Sequence, residues 1–96
     1  MIRKKSSKTG VRVTFVLPES HGYGQVSVVG DFNGWDPCVN RFQRRNNRTF
    51  STAVQVEPGK KFHFRYLSED GGWLNEEEAD HWEISPFGSQ NCVLFT

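Results

Sequence analysis

Apolar and polar positions alternate along most of this chain, and no segment carries a convincing helical period. Val11, Val13, Phe15 and Leu17 alternate with Arg12 and Thr14, the spacing of a strand with one buried face. Val26 and Val28 flank Ser27 in a second strand, which closes at Gly30-Asp31. Phe50, Val54 and Val56 fall on one face of a third, ended by Glu57-Pro58-Gly59. Phe62, Phe64 and Tyr66 share a face of a fourth, with Lys61, His63 and Arg65 on the other. Asn91 to Thr96 makes the last. Short strands separated by Gly, Pro and Asn turns predict an all-β, immunoglobulin-like antiparallel sandwich of about seven strands. The run Glu76-Glu77-Glu78-Ala79-Asp80 has the length of one helical turn, but its acidity predicts a solvated loop.

Length and charge narrow the picture. Ninety-six residues suit one core and one domain. Twelve Lys and Arg nearly cancel eleven Asp and Glu, so no global field favours nucleic acid or an anionic membrane, and neither is expected as a partner. Residues 1–8, MIRKKSSK, read as a flexible basic tail ahead of a domain spanning residues 9–96. The tail lacks the apolar stretch of a signal peptide, and no segment is apolar enough to span a bilayer, so a cytoplasmic location is expected. Cys38 and Cys92 permit one disulfide, but reduced thiols are the expectation in that compartment. Neither has a second Cys nearby, so no zinc site is expected. Eight Phe supply core volume, which leaves Trp35, Trp73 and Trp82 to be explained separately.

The segment VSVVGDFNGWDP, Val26 to Pro37, is the most informative. A strand stops at Gly30-Asp31, Asn33-Gly34 tolerates positive φ cheaply, and Trp35 follows at once. Asp36-Pro37 prevents simple continuation of the strand. An aromatic on a rigid turn is either a contact surface or a lid folded back over the core. Trp73 follows Asp70-Gly71-Gly72, again on a turn, and Arg65 lies on the outward face of the strand leading there. Flat aromatic faces suit the C–H surfaces of sugars, and a hydrogen-bonding cation between them suits the hydroxyls. Spacing alone favours loop tryptophans acting as core lids.

This segment resembles the signature of the isoamylase-type N-terminal domains, the family forty-eight carbohydrate-binding modules of starch- and glycogen-branching and debranching enzymes. It is also similar to the glycogen-binding domain of the AMP-activated protein kinase beta subunit. The later stretch VEPGKKFHFRYLSEDGGW, Val56 to Trp73, is similar to the family's Pro-Gly, aromatic-basic-aromatic strand, turn and tryptophan, and SPFGSQNCVLF resembles its closing loop and strand. The likeness spans roughly Thr9 to Thr96. It implies the same early-set immunoglobulin-like fold and a non-catalytic module for α-1,4-linked glucan, such as glycogen, starch or maltooligosaccharide. By the resemblance Trp35 stacks on glucose, Arg65 stands where the kinase modules usually have lysine, and Trp73 is the second platform. Phe87, Ser89 and Asn91 take the places of an aliphatic, a hydroxyl and an asparagine around the ligand. The acidic Glu76–Asp80 loop and Trp82 depart from the pattern and could narrow, extend or obstruct the site.

A glucan-active enzyme acting in trans is a further candidate partner. The alternative is a structural or protein–protein interaction domain with a degenerate sugar site, since many such modules serve as spacers. No catalytic residue, cofactor or metal is expected. The catalytic barrel of the relatives needs about 250 residues, and adjacent acids on one loop do not make a facing glycosidase pair. Asp31, Asn33 and Asp36 lack a calcium loop's later ligands and read as turn formers. His21, His63 and His81 read as surface imidazoles. Arg41, Arg44, Arg45 and Arg48 with Phe42 read as a charged hairpin edge that resists aggregation.

Overall fold

Strand β2, Gly10–Pro18, organises the first sheet. Val11, Val13 and Phe15 point inward and are buried, and Arg12 points out. β2 pairs antiparallel with β5, Thr49–Val56, in a register that sets Val11 opposite Val56 and Leu17 opposite Phe50. On its other side lies β1, Ile2–Ser7, with Ile2 opposite Phe15. β4, Gln43–Arg44, completes a sheet of order β1-β2-β5-β4. The computed structural model from which this description comes describes residues 1–18, 24–76, 78–86, 88 and 90–96.

β1 departs from the flexible tail expected of residues 1–8. Its side chains show little apolar alternation, because only Ile2 packs against the core. The strand forms through its backbone ladder, which is indifferent to side-chain polarity, and Lys4 ties it across the sandwich by pairing with Asp80.

The second sheet contains β3, Val26–Gly30; β6, Lys61–Ser68; β9, Gln90–Phe95; and β8, His81–Ile84, in that spatial order. The short β7, Trp73–Leu74, pairs with β6 through Tyr66↔Leu74 and Leu67↔Trp73. The chain is thus an all-β antiparallel sandwich, with nine strands among the described residues against about seven expected. The strands without a counterpart in the sequence pattern are β1, the two-residue strands β4 and β7, and β8. No helix among the described residues is long and apolar enough to cross a membrane.

Phe15, Phe64, Tyr66, Cys92 and Leu94 fill the space between the sheets. Phe15 and Phe64 stand 5.1 Å apart between ring centroids, and Phe42 meets Tyr66 edge-on at 5.3 Å, both within the range of favourable aromatic pairs. Phe42 is therefore core, 3% exposed, and not part of a charged edge. The Val28 N–H donates to the Asn40 carbonyl and the Phe42 N–H to that of Val26, so this segment lies along β3. At the next residue, Gln43, the chain joins β5 in the other sheet, and Phe42 falls inside the crossing.

The acidic run is partly structural, with Glu78 exposed as expected of a solvated loop. Glu76 is 4% exposed and accepts the Tyr66 hydroxyl at 3.1 Å. Burial and that carboxylate push the Tyr66 phenol well above its ordinary pKa. Ala79 is buried, and the Asp80 carboxylate accepts the Phe95 N–H at 2.8 Å. Glu77 lies outside the described residues. Trp82, opposite Cys92 in the β8–β9 pair, faces inward and packs against the core. It is not on the outer surface that carries Trp73.

Candidate functional site

The outer face of the second sheet gathers most of the residues that the sequence singles out. Alternation along β6 places His63, Arg65 and Leu67 outward, because Phe64 and Tyr66 are buried inward. Register then brings Val29 of β3 opposite Arg65, and Trp73 of β7 opposite Leu67. Cys92 pairs with Phe64, so Asn91, the preceding residue of β9, lies on the outer face beside Arg65, itself opposite Glu83.

Trp73 is held at the sheet by a tight connection. The Ser68 N–H donates to the Gly72 carbonyl, Asp70 accepts the Gly72 N–H at 3.0 Å, and Gly71 takes φ 87°. The indole remains 49% exposed. The Arg65 guanidinium carbon stands 4.8 Å from its ring centroid, a cation–π distance. Arg65 Nε is buried and has no hydrogen-bond partner among the described residues, so stacking on Trp73 is what positions the guanidinium.

Trp35 enters from the connection after β3. Asn33 staples that turn: its side-chain oxygen accepts the Gly30 N–H, and its amide donates to the Val28 carbonyl and to Asn40. The Gly30 carbonyl accepts the N–H groups of Asn33 and Trp35. Glycine is required at position 30, since a Cβ there would stand 2.5 Å from the His63 carbonyl oxygen and 2.9 Å from Phe64 Cβ. Trp35 itself adopts φ 60°, a left-handed conformation costly for a non-glycine residue. Its side chain is half-buried, between an open platform and a core lid.

The indole is held by Asp31, which is in turn fixed by polar groups of β6 and β8. Trp35 Nε1 donates to Asp31 Oδ1 at 3.2 Å. Asp31 Oδ2 accepts the His63 N–H at 2.7 Å and faces His63 Nδ1 at 3.0 Å. His63 Nε2 faces Glu83 Oε1 at 2.7 Å, and Lys61 pairs with the other Glu83 oxygen. Both ring nitrogens thus meet carboxylates, which only accept, and the doubly protonated imidazolium satisfies both. Hydrogen bonding to Glu83, with Asp31 adding to it against a smaller desolvation effect, raises the His63 pKa. Lys61 and then His63 hold Glu83 down at about 2. A general acid for glycoside cleavage needs the opposite shift, and His63 fills the space between the two carboxylates.

Other sequence candidates serve local structure. Asp36 accepts the Cys38 N–H at 2.8 Å, a turn contact. Cys38 is exposed and Cys92 buried, both as free thiols, and burial raises the Cys92 pKa. Cys38, Pro37, Arg41, Ser27 and Leu67 help to line a groove of about 400 Å³ beside Trp73's strand partner, a size within the range of small-ligand sites.

The fold therefore brings Trp73, Arg65 and Asn91 onto one face, with Trp35 linked to the same strand through Asp31 and His63. Phe87, Ser89 and His21 lie outside the described residues. From the sequence Asp31 reads only as a turn former and His63 only as a surface imidazole, and Glu83 is not singled out. Outward alternation of His63 with Arg65 was visible, but the register that supplies its two carboxylates was not. No protein-family model matches the chain, and no curated protein matches it either.

Proposed function

We propose that this chain is a non-catalytic module that binds α-1,4-linked glucan, as the resemblance to the family forty-eight carbohydrate-binding modules implies, in a cytoplasmic setting and with a glucan-active enzyme in trans as its partner. The observation that carries the reading is the exposed Trp73 indole with the Arg65 guanidinium stacked on it. An indole face takes the C–H surface of a glucose ring, and the guanidinium and the Asn91 amide offer donors to its hydroxyls. Trp35, with its indole N–H occupied by Asp31, contributes a ring face and not a donor. The inward position of Trp82 leaves it unable to cover Trp73.

Stacking on two rings contributes on the order of 1 kcal/mol each beyond area burial, and hydroxyl contacts largely replace contacts with water. A Kd of roughly 10 μM to 1 mM follows after ordering costs. The test is an NMR titration with maltoheptaose that follows the three indole N–H signals. The Trp35 and Trp73 signals should shift, the Trp82 signal should not, and Arg65→Ala should weaken binding about tenfold with the spectrum of the fold retained. No indole shift at millimolar maltoheptaose would reject sugar binding and leave the structural-domain reading in its place.

A further inference from the structure

The near balance of total charge conceals a local imbalance on the first sheet. Strands β1, β2, β4 and β5 contain no Asp or Glu, yet carry Arg3, Lys4, Lys5, Arg12 and Arg44, and the β4–β5 turn adds Arg45 and Arg48. Lys4 turns inward to Asp80. The others divide into two groups. Register places Arg3 opposite Thr14 and Lys5 opposite Arg12 on the outer face, so three cations lie within about one strand spacing or one residue pair of each other. At the far side Arg45 lies over the sheet, with Nε donating to the Ser51 hydroxyl at 2.8 Å. Arg44, Arg45, Asn46 and Arg48 there enclose a concavity of about 370 Å³.

Protection of exposed edges accounts for part of this, because β1 and β4 are the edge strands of their sheet. It does not account for Arg12, which sits on the interior strand β2 directly opposite another cation. Like charges so placed destabilise a sheet, and no ion pair among the described residues relieves Arg3, Lys5 or Arg12.

We infer that the outer face of sheet β1-β2-β5-β4 is a docking surface for an acidic segment of a partner protein. Charge complementarity selects an anion, and a preponderance of arginine suits the planar, bidentate geometry of carboxylates. Thr14, Ser51, Gln43 and Gln55 lie among the cations on the same face, which supplies hydroxyls and amides for a peptide backbone. The described outward positions of this sheet hold no aromatic ring on which a nucleic-acid base would stack, and Ile2, the bulky aliphatic of β1, is turned to the core. The face belongs to the sheet opposite the one that carries Trp73 and Arg65, so a partner docked here leaves the proposed glucan surface free.

The experiment is a ¹⁵N-edited NMR titration of the whole chain with a ten-residue oligoglutamate peptide at low and at physiological salt, with a DNA duplex and with phosphatidylserine vesicles run in parallel. Expected are peptide-induced shifts confined to β1, β2, β5 and the Arg44–Arg48 turn, weakened by salt. Arg12→Glu should reduce affinity about tenfold or more, while Arg12→Lys retains most of it. Lys5→Glu on the edge strand provides the same reading should Arg12→Glu fold poorly. Absence of shifts with the peptide, shifts spread equally over both sheets, or tighter binding to the duplex or the vesicles would each overturn the inference. None of these outcomes alters the indole response to maltoheptaose.

Discussion

Replacing Trp35 by alanine and by glycine separates what its ring contributes from what its backbone costs. The ring is half-buried, and its indole makes one hydrogen bond, to Asp31. Losing that bond and part of a hydrophobic contact should destabilise by about 1–2 kcal/mol. The backbone works in the other direction. At φ 60° any Cβ is strained, and no atom beyond the chain is needed to hold glycine there. Trp35→Gly should therefore be more stable than Trp35→Ala by about 1 kcal/mol, the reverse of the usual order. For a domain of this size each kcal/mol moves the Tm by roughly 4–8 °C. Phe64→Ala is the reference for a true core residue: Phe64 is fully buried and stacks near Phe15 and Tyr66, so its loss should cost about 3–5 kcal/mol. Differential scanning calorimetry on the three variants, with maltoheptaose titrations of each folded one, measures both properties. Both Trp35 variants should lose glucan binding. Should Trp35→Ala unfold as readily as Phe64→Ala, Trp35 is a core lid and the platform assignment is wrong. Should Trp35→Gly be no more stable than Trp35→Ala, the left-handed strain assigned to position 35 is absent.

Four further outcomes are expected. His63 keeps its proton to higher pH in the fold than its ordinary 6.5, so its contribution is complete below that pH and is lost as pH rises through the raised value. Thermal melts should accordingly fall from pH 6 to pH 8, and His63→Gln should remove that step; a flat profile in the parent protein would exclude the imidazolium bridge. Glu83, lowered from 4.5 to about 2, contributes stability above 4.5 that is lost as pH falls toward 2, and Glu83→Gln should flatten the acid limb. Gly30→Ala should destabilise by about 1–3 kcal/mol, measured by urea unfolding, because its Cβ would press on the backbone of β6. In the native protein a thiol reagent should label exposed Cys38 alone, with Cys92 reacting only after unfolding, as read by mass spectrometry.

Much of the fold was legible because strand periodicity is a local property. The alternations in residues 11–17 and 61–66 predicted both the strands and their buried faces, and Val11, Val13, Phe15, Phe64 and Tyr66 are buried as expected. β1 was not legible, since a ladder satisfied by backbone groups leaves no trace in side-chain pattern. Phe42 was obscured by four neighbouring arginines, and its burial follows from a change of sheet that hydropathy does not encode. Glu76 looked solvated by composition, yet it lies under the Tyr66 hydroxyl, contributed by another strand.

The same division runs through the site. Sequence alone determined that Trp35 lies on a turn, that Arg65 points outward and that Asn33-Gly34 shapes the approach, because each depends on neighbours within a few residues; Trp73, expected on a turn, instead begins the short strand β7 just after one. Tertiary structure alone decided that Arg65 stacks on Trp73, that Trp82 turns inward, and that Trp35 is tethered through Asp31 to His63 and Glu83. Those contacts join residues as far as 32 apart in the chain, and they exist only once β6 has taken its register against β3 and β9. The acid-free strands of sheet β1-β2-β5-β4 set a cationic face by the same means: the residue counts fix the sum of the charges, and strand order decides where each sign is displayed.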